Sequence, residues 1–300
     1  MQFPVAFLAK TCFNTIAFLL RASKERRNMT QTIQQRREAI LGIAYQQSHV
    51  SVKYLAEQLN VSEATVRRDL QGLATQGHLE LTHGGAKVTR NSDYSFLSKS
   101  MRNIEAKRVI AKMAAEMVST GDQIFLDAGT TCFEMTAFLR SKRSLSVILH
   151  SIRTAQELNT PGMNVLILGG QYRPDRMDSI GPMASDSLEH LRGYTAFFGT
   201  DGISMDFGLT SVDIESAHLL SIAAKNAKKS VLLVDSTKFD QPSLYKITDF
   251  DMISTVLTEK MPSPQWCEFF ENKNIKVIHP ENFSTSNEKN VILNQSVQES

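Results

Sequence analysis

Apolar positions recur at helical spacing in two short stretches that a polar break separates. The first stretch predicts a helix over residues 52–59. The break ends at Ser62, whose hydroxyl is a good N-cap because it can accept a hydrogen bond from a free amide of the next turn. In the second stretch Val66, Leu70 and Leu73 recur at i, i+4 and i+7 and predict one buried stripe. The pattern therefore predicts two amphipathic helices joined by a tight turn.

The face of the second helix opposite its apolar stripe is small, polar and cationic. At about 100° per residue, that face comprises Ala64, Thr65, Arg68, Gln71 and Thr75, with Arg67 at its flank. A helix that enters the DNA major groove requires such a face, since arginine binds guanine or phosphate in bidentate fashion. The predicted DNA contacts of this helix are Ser62, Ala64, Thr65, Arg67, Arg68 and Gln71. Asp69, beside the buried stripe, is expected to support an arginine rather than to contact DNA. The alternative is a small helical hairpin whose polar face is only solvated.

A β-hairpin is predicted directly after the second helix. In residues 78–82 polar and apolar side chains alternate, as in a half-buried strand. Gly84 and its neighbour permit positive φ, and residues 86–88 form the returning strand. A hairpin in this place is the wing of a winged helix. Its tip, at His83 and Gly84, can reach the adjacent DNA backbone or minor groove. Residues 33–47 supply the first of the three helices.

Beyond residue 103 the pattern changes to strands that alternate with helices, after a first helical period over 104–118. The predicted strands are 123–127, 145–150, 164–168, 195–199, 230–235, 253–257 and 276–278. The predicted helices between them are 133–139, 154–158, 183–191 and 216–227. Such alternation predicts an α/β domain with a Rossmann-like, mostly parallel sheet covered on both faces. Ligands of such sheets bind at the carboxyl ends of the strands.

Small polar clusters follow four of the predicted strands. Glycine lets the backbone approach an anion, hydroxyls donate hydrogen bonds, and a helix that opens after a strand adds positive potential at its N-terminus. The candidate ligand contacts in these clusters are Asp127, Gly129, Thr130, Thr131, Gly169, Gly170, Arg173, Asp201, Gly202 and Lys238. Each cluster alone is ordinary loop chemistry, but together they predict a small anionic, hydroxyl-rich ligand. Neither GxxxxGK[ST] nor GxGxxG occurs, which argues against a nucleotide.

The helix sequence VSEATVRRDL at 61–70, followed by HGGA at 83–86, resembles the N-terminal signature of the DeoR family of bacterial transcriptional regulators. The four strand-end clusters are similar to the DeoR effector domain, whose fold is similar to that of ribose-5-phosphate isomerase and coenzyme A transferases. The resemblance covers roughly residues 30–280. It implies a repressor of a carbohydrate-utilisation operon whose operator binding is modulated by a phosphorylated sugar.

The chain departs from the family pattern after the second predicted strand. It carries Leu149-His150-Ser151 where family members often carry Thr-Asn-Ser. Only Ser151 carries over as an effector contact. His150 is either a ligand contact or a strand-end histidine that a neighbouring group satisfies, and the second interpretation is favoured.

Charge is distributed unevenly along the 300 residues. Residues 29–90 carry seven basic and five acidic side chains, whereas residues 91–300 carry twenty-one and twenty-five. A basic front and an acidic remainder are expected when only the N-terminal part contacts phosphates. The three cysteines lack CxxC spacing, which indicates a reducing cytoplasm and argues against disulfides or a zinc site. We expect neither a metal nor another cofactor.

The chain is predicted to have five segments. They are an N-terminal extension (1–28), a winged helix-turn-helix DNA-binding domain (29–90), a linker (91–103), an effector-binding α/β domain (104–282) and a disordered tail (283–300). In residues 1–28 the basic side chains mostly follow the apolar run, whereas a secretory signal places them before it. We interpret this extension as upstream-read sequence or a weakly ordered segment. The alternative is an amphipathic helix that contacts a membrane.

Two other function classes remain open. An isomerase-like enzyme needs a base and a cation, which Asp127, Asp201, Glu215 and Lys238 could supply. A free-standing isomerase has no use for a winged helix, so the sequence favours a regulator. A membrane-tethered regulator depends wholly on residues 1–28. Because one small module offers only about 600–1,000 Å² to DNA, we expect a dimer or tetramer.

Overall fold

The computed structural model describes residues 33–47, 49–75, 77, 79–88 and 96–283. By its contacts the chain divides into two units, Met1–Ser92 and Asp93–Ser300. The predictions for residues 1–28, for residues 91–95 of the linker and for residues 284–300 of the tail lie outside the described residues.

The first unit is a winged helix-turn-helix domain, as predicted. Its elements are α1 (Ile33–Gln47), β1 (His49–Ser51), α2 (Val52–Leu59), α3 (Glu63–Thr75), β2 (Leu79–Thr82) and β3 (Gly85–Val88). The three strands form an antiparallel sheet in the order β1-β3-β2. The predicted stripe of Val66, Leu70 and Leu73 is buried together with Leu55. Strand β1 was not predicted, because three residues with a single buried side chain give too short a pattern.

The second unit is built on a seven-stranded sheet. Its strands are β4 (Gln123–Leu126), β5 (Leu145–Leu149), β6 (Met163–Ile167), β9 (Thr195–Phe198), β12 (Lys229–Leu233), β14 (Thr255–Leu257) and β15 (Lys276–Ile278). They lie in the order β15-β14-β12-β9-β4-β5-β6, and every neighbouring pair is parallel. These are the seven strands that the sequence predicts, and the α/β prediction is confirmed.

Both faces of this sheet are covered by apolar side chains. Phe125 and Phe198 belong to a cluster on one face, whereas their neighbours Leu126 and Phe197 belong to a cluster on the other. Successive residues of a strand point to opposite faces, so a strand that is apolar throughout must be buried on both sides. The helices are α4 (Phe96–Met101), α5 (Ile104–Glu116), α6 (Thr130–Glu134), α7 (Thr136–Leu139), α8 (Ile152–Glu157), α9 (Pro182–Glu189), α10 (Ile214–Asn226) and α11 (Pro264–Asn272).

The structure differs from the sequence-based expectation in four places. One is helix α11 (Pro264–Asn272), between β14 and β15, which was not predicted. The helix predicted over 133–139 begins at Thr130 and is divided into α6 and α7. Within the predicted linker, residues 96–101 form helix α4. Two small antiparallel sheets were not predicted: β7 (Gln171–Arg173) with β8 (Asp178–Ile180), and β10 (Gly202–Ser204), β11 (Gly208–Ser211) and β13 (Tyr245–Thr248). Their strands have three or four residues, too few for a clear alternation.

Candidate DNA-binding and effector sites

Helix α3 begins directly after the predicted cap. Ser62 Oγ accepts a hydrogen bond from the Thr65 amide at 3.2 Å, which satisfies one of the free donors of the first turn. The Ser62 and Thr65 hydroxyls lie 2.9 Å apart. Glu63 and Arg67 form an exposed pair one turn apart, with 2.9 Å between Oε2 and Nη2. Surface side chains therefore hold the N-terminal end of this helix.

The predicted DNA contacts of α3 lie on its solvent side. Five of them are exposed and one, Thr65, is half-buried; the exposed residues are Ser62, Ala64, Arg67, Arg68 and Gln71. Arg68 forms no ion pair with any residue that the structure describes. The Arg68 guanidinium is thus available to a phosphate or a base, whereas that of Arg67 is shared with Glu63.

Asp69 fixes α3 to α1 on the side away from that surface. The carboxylate is 2% exposed and accepts hydrogen bonds from Arg36 Nε at 2.5 Å and from Arg37 Nε at 3.3 Å. The interpretation that Asp69 supports an arginine is confirmed. Gly72 leaves room for this arrangement, since a Cβ there would lie 2.5 Å from Arg37 Nη2.

The wing is anchored to the start of α2 through strand β1. The Val52 amide donates to the Gly84 oxygen at 2.8 Å. At Gly85 a Cβ would lie 2.0 Å from the Val50 oxygen, so only glycine allows β3 to approach β1 this closely. The predicted tip residues, His83 and Gly84, are exposed, and Gly84 has a φ of 80°. The tip is therefore free to reach DNA while its base is fixed.

In the second unit a cavity of about 570 Å³ opens at the carboxyl ends of β4, β9 and β12. Six of the predicted effector contacts line it: Asp127, Gly129, Thr130, Thr131, Asp201 and Lys238. They come from three separate clusters of the sequence. The sheet brings the clusters together because β4, β9 and β12 are neighbours in it.

Asp127 is held in place by the backbone around it. Its Oδ2 accepts a hydrogen bond from the Gly199 amide at 3.2 Å, and the side chain is buried. At Gly129 a Cβ would lie 2.7 Å from Asp127 Oδ2, so glycine allows the turn to fold over the carboxylate. Thr130 and Thr131 follow in the first turn of α6 and are buried at the cavity wall.

His150 does not line the cavity, and its Nε2 is engaged by neighbouring groups, which agrees with the favoured interpretation for that nitrogen. The residue is 1% exposed, and its ring stacks with Phe125 at 6.2 Å between centroids. Its Nε2 lies 3.3 Å from the Ala128 amide and 3.4 Å from Asp127 Oδ1. Nδ1 has no hydrogen-bond partner among the described residues. His150 thus supports the turn after β4 from behind.

Five predicted effector contacts do not line this cavity: Ser151, Gly169, Gly170, Arg173 and Gly202. Ser151 caps α8, where its Oγ accepts from the Thr154 amide at 3.1 Å. Arg173 donates to both carboxylate oxygens of Asp178, at 2.8 and 2.7 Å, and to Asp213 at 2.9 Å. Ser151 thus caps a helix, and Arg173 holds Asp178, which itself lines the cavity.

Two of the three glycines in this group, Gly170 and Gly202, serve close backbone approaches. At Gly170 a Cβ would lie 2.4 Å from the Ile180 oxygen across the β7–β8 hairpin, and at Gly202 one would lie 1.6 Å from the Gln241 oxygen. Gly169 lies in the same loop, where nothing is within 4 Å of an added Cβ.

Sequence reasoning missed a group of cavity residues that precede the first strand. Phe96, Lys99, Arg102, Asn103 and Lys107 line the cavity from α4, α5 and the turn between them. Residues 96–103 were predicted to belong to a polar linker that opens at residues 91–93. The basic residues at 99, 102 and 107 were the available signal, since they stand out in the otherwise acidic part of the chain.

Lys99 and Asp201 face each other across the cavity wall. Lys99 Nζ lies 2.6 Å from Asp201 Oδ1, and the Val212 amide donates to Oδ2 at 2.9 Å. Burial disfavours the ionised carboxyl, but the Lys99 ammonium, the Val212 amide and the charge of Lys238 together outweigh that effect and hold the pKa of Asp201 below its ordinary value. The carboxylate is therefore ionised and already engaged.

Lys107 is the most deeply buried cation of the cavity, at 4% exposure. Its ammonium donates to the main-chain oxygen of Lys99. Burial lowers the pKa of Lys107 to about 8, with Asp235 acting in the opposite direction. A negative charge brought into the cavity would favour the protonated form.

The cavity wall carries both signs of charge. Its cations are Lys99, Arg102, Lys107, Arg176 and Lys238, and its carboxylates are Asp127, Asp178, Asp201 and Asp235. Within the described part of the chain no group of three or more His, Cys, Asp or Glu side chains is placed to hold a metal ion. Over the same residues, no helix has the length and apolar character that crossing a membrane requires.

Two sequence-family models match this chain. The model described as the DeoR-like helix-turn-helix domain matches residues 36–92, and the DeoR C terminal sensor domain matches residues 102–260. The first match contains α2, α3 and the wing. The second contains most of the residues that line the cavity.

Similar proteins of known name are transcriptional regulators. The chain is 29% identical over 248 residues to the HTH-type transcriptional regulator GlpR of Haloferax volcanii, covering 81% of this chain and 96% of that protein. It is 32% identical over 241 residues to the lactose phosphotransferase system repressor of Lactococcus lactis, covering 78% and 94%. Ribose 5-phosphate isomerase A from Methanocaldococcus jannaschii has a TM-score of 0.34 at 20% identity over 46% of this chain and 55% of that one, too distant to indicate a function.

Proposed function

The chain belongs to the DeoR family of transcriptional regulators, and we propose that it represses a carbohydrate-utilisation operon by binding operator DNA in a manner that a phosphorylated sugar modulates. The relatives named above include a repressor of a lactose phosphotransferase system. Operator DNA and a small anionic effector are the two partners of this proposal. The protein acts in the cytoplasm, where its DNA is.

The exposed face of α3 carries the DNA-binding part of the proposal. Its predicted contacts, Ser62, Ala64, Thr65, Arg67, Arg68 and Gln71, project from a helix whose opposite side is buried. The predicted wing contacts, His83 and Gly84, are exposed at a hairpin tip. A helix of this kind lies in the major groove, with its N-terminal residues at the base edges.

The cavity carries the effector part. Five cations and the Thr130 and Thr131 hydroxyls suit a phosphate, which bears between one and two negative charges at neutral pH. The carboxylates of the wall suit sugar hydroxyls, which donate hydrogen bonds to them. We expect Asp127, Gly129, Thr130, Thr131, Asp201 and Lys238 to contact the ligand directly.

Ser151, Gly169, Gly170, Arg173 and Gly202 were also predicted as effector contacts. We propose that they do not bind the ligand, since the contacts of Ser151, Arg173, Gly170 and Gly202 are with Thr154, Asp178, Asp213 and nearby backbone. They shape the loops around the cavity, and a ligand need not touch them.

The DNA-binding proposal is tested by selecting bound duplexes from a randomised pool with the full chain. We expect a defined sequence to be enriched and the Arg67→Ala, Arg68→Ala double variant to lose affinity for it. Arg192→Ala, in the other domain, is the matched control and should bind normally. Equal gel-shift affinity of the double variant and the unaltered protein would remove α3 from its proposed role.

The effector proposal is tested by a thermal-shift panel of sugar phosphates and their parent sugars on the full chain. At 100-fold above its Kd, a ligand stabilises the folded state by about 2.7 kcal/mol. We expect at least one phosphorylated sugar to raise the melting temperature of the effector domain while its parent sugar does not. If the parent sugars raised the melting temperature equally well, the proposal that the site recognises the phosphate group would be contradicted.

Two observations favour a regulator over an isomerase-like enzyme. An enzyme would need a free carboxylate as base, but Asp127 accepts a hydrogen bond from the Gly199 amide, and Asp201 is engaged by Lys99 and by the Val212 amide. Glu215 is exposed on α10 and does not line the cavity. Ribose 5-phosphate incubated with the full chain should therefore remain unchanged by proton NMR, and turnover would contradict this choice.

We also propose that the protein binds DNA as a dimer or tetramer. A single winged-helix module buries about 600–1,000 Å², too little for a tight specific site among genomic competitors. Sedimentation with and without the selected duplex measures the mass directly. A monomer in both cases would contradict the proposal.

A further inference from the structure

We call residues 96–103 the strap. Most of the strap lies between the two family matches and belongs to neither. The helix-turn-helix match ends at residue 92 and the sensor match begins at residue 102. The strap nevertheless lines the cavity through Phe96, Lys99, Arg102 and Asn103. A segment that lies mostly outside both family matches thus forms part of the cavity wall.

The N-terminal end of the strap is fixed by an edge-on aromatic contact and a cation–π contact. The Phe96 ring meets the Phe133 ring edge-on at 5.3 Å between centroids. The Arg153 guanidinium lies 4.3 Å from the centre of the Phe96 ring. Arg153 Nε is buried without a hydrogen-bond partner among the described residues, so its partner in this place is the ring.

The rest of the strap is attached to groups that a ligand would also use. Lys99 Nζ lies 2.6 Å from Asp201 Oδ1. Asn103 Nδ2 donates to Asp235 Oδ1 at 3.1 Å and to Thr237 Oγ1 at 3.0 Å. Asp201, Asp235 and Thr237 all line the cavity. A ligand in the cavity therefore competes directly with the strap for its anchors.

The Lys99–Asp201 pair is the anchor that an anion disturbs most. The side chains are 28% and 20% exposed, so water and salt only partly screen the pair. A phosphate nearby attracts the ammonium and repels the carboxylate. Lys107 lies on the same side, with its ammonium on the Lys99 main-chain oxygen, so the two cations are linked through the strap backbone.

We propose that the strap is the part of the effector site that registers occupancy: Lys99 leaves Asp201 for the bound anion, Lys107 binds the same anion, and the strap closes over the ligand. This proposal rests on the proposed effector function. It adds two ligand-binding residues that the sequence did not identify. It also locates the first structural consequence of binding in the segment that follows the DNA-binding domain in sequence.

The test measures hydrogen exchange of the full chain with inorganic phosphate as the probe. Two segments are followed, the strap (96–103) and the turn after β4 (127–131). At tenfold above its Kd, phosphate should slow exchange about tenfold in both segments, with one midpoint concentration, since opening then requires release of the ligand.

The variant Lys99→Met separates the strap from the rest of the site. We expect faster exchange of the strap without phosphate, no slowing of the strap with phosphate, and continued slowing of residues 127–131. Lys99→Arg should restore the response of the strap. The matched control is Lys273→Met, which removes a surface pair of the same length, 2.6 Å from Nζ to Asp251 Oδ1, and should behave as the unaltered protein.

The outcomes distinguish the strap from the site it rests on. Slowing at 127–131 without slowing of the strap would overturn the strap proposal and leave an anion-binding cavity. The strap proposal would also be overturned if phosphate still slowed hydrogen exchange of the strap in Lys99→Met. If phosphate slows hydrogen exchange in neither segment and no sugar phosphate shifts the melting temperature, the effector-binding role of the cavity and the proposed role of the strap are both contradicted.

Discussion

Asp69 and Arg36 form the closest ion pair between α3 and α1, with 2.5 Å between Oδ2 and Nε. Only 3% of the aspartate side chain and 13% of the arginine side chain are exposed. Arg37 reaches the other carboxylate oxygen at 3.3 Å. The pair fixes the rotation of α3 about its own axis, so that its polar face is turned to solvent. Recognition thus depends on a residue that cannot touch DNA.

Asp69→Ala should destabilise the DNA-binding domain by about 3 kcal/mol, because it leaves a buried guanidinium without its partner. The free energy is measured by hydrogen exchange of the α3 amides in the full chain. Glu63→Ala, which breaks the exposed pair with Arg67, is the control and should change stability by less than about 0.5 kcal/mol. Equal effects of the two substitutions would contradict a clamping role for Asp69.

Arg68→Ala should weaken operator binding by about 1–3 kcal/mol and relax specificity at one base position if Arg68 reads a base. A phosphate contact would instead weaken all sequences alike and reduce the salt dependence of binding by about one counterion. Gel-shift titrations at several salt concentrations, on the selected duplex and on single-base variants, measure both quantities. Unchanged affinity for every duplex would exclude both roles.

Lys238→Met should abolish the response to the sugar phosphate while operator binding remains. The substitution keeps much of the side-chain volume and removes the charge that we assign to the phosphate. Buried donors left unpaired cost about 1–3 kcal/mol each, so losing the phosphate from several of them discriminates on the order of a thousandfold. Calorimetry with an active sugar phosphate and its parent sugar measures the difference. Lys246→Met, which removes a surface pair with Asp249, is the control, and a normal response of Lys238→Met would place Lys238 in solvent.

Lys107 should make the effector domain more stable as the pH rises from 8 to 10. Burial lowers the pKa of Lys107 to about 8 in the folded protein, so in this window the unfolded chain binds the extra proton. The folded state gains about 2 kcal/mol between these two pH values. Below pH 8 the lysine is charged in both states and the gain is absent. The charged groups that act on Lys107 are Asp235, Lys238, Glu134 and Arg102.

Urea unfolding at pH 8 and pH 10, compared with Lys107→Met, isolates this contribution. The variant should lack the rise. Burial raises the pKa of Tyr194 to about 12, so above pH 10 this tyrosine ionises first in the unfolded chain and stability falls. The measurement therefore ends at pH 10. If the free energy of unfolding changed equally with pH in the unaltered protein and in Lys107→Met, a neutral Lys107 at high pH would be contradicted.

The sheet could be predicted from sequence because its strands are buried on both faces. In β12, residues 231–233 are apolar at every position, and a short uninterrupted apolar run is typical of a parallel strand covered on both sides. The hairpin of β7 and β8 could not be predicted in the same way. Arg173 follows a strand and two glycines, which is typical of a ligand-binding cation. Only the fold of the hairpin places Asp178 beside it.

The contribution of the strap to the cavity could not be predicted from sequence either. Lys99 and Asp201 are 102 residues apart, and no local pattern connects them. The clusters after β4, β9 and β12 were predictable because a parallel sheet collects its carboxyl ends on one edge, a rule that needs no distances. A segment that approaches this edge from outside the sheet follows no such rule. Its basic residues were visible in the sequence, but their location was not.

The order of the strands also determines how the chain is made. Strands β4, β5 and β6 are adjacent in sequence, whereas β9, which pairs with the other edge of β4, is synthesised about 70 residues after it. At about 5–20 residues per second, an apolar strand edge stays open for roughly 4 to 14 seconds on the ribosome. The small N-terminal domain, whose contacts are local, folds well before that. Until β9 is made, the open β4 edge is where newborn chains would aggregate.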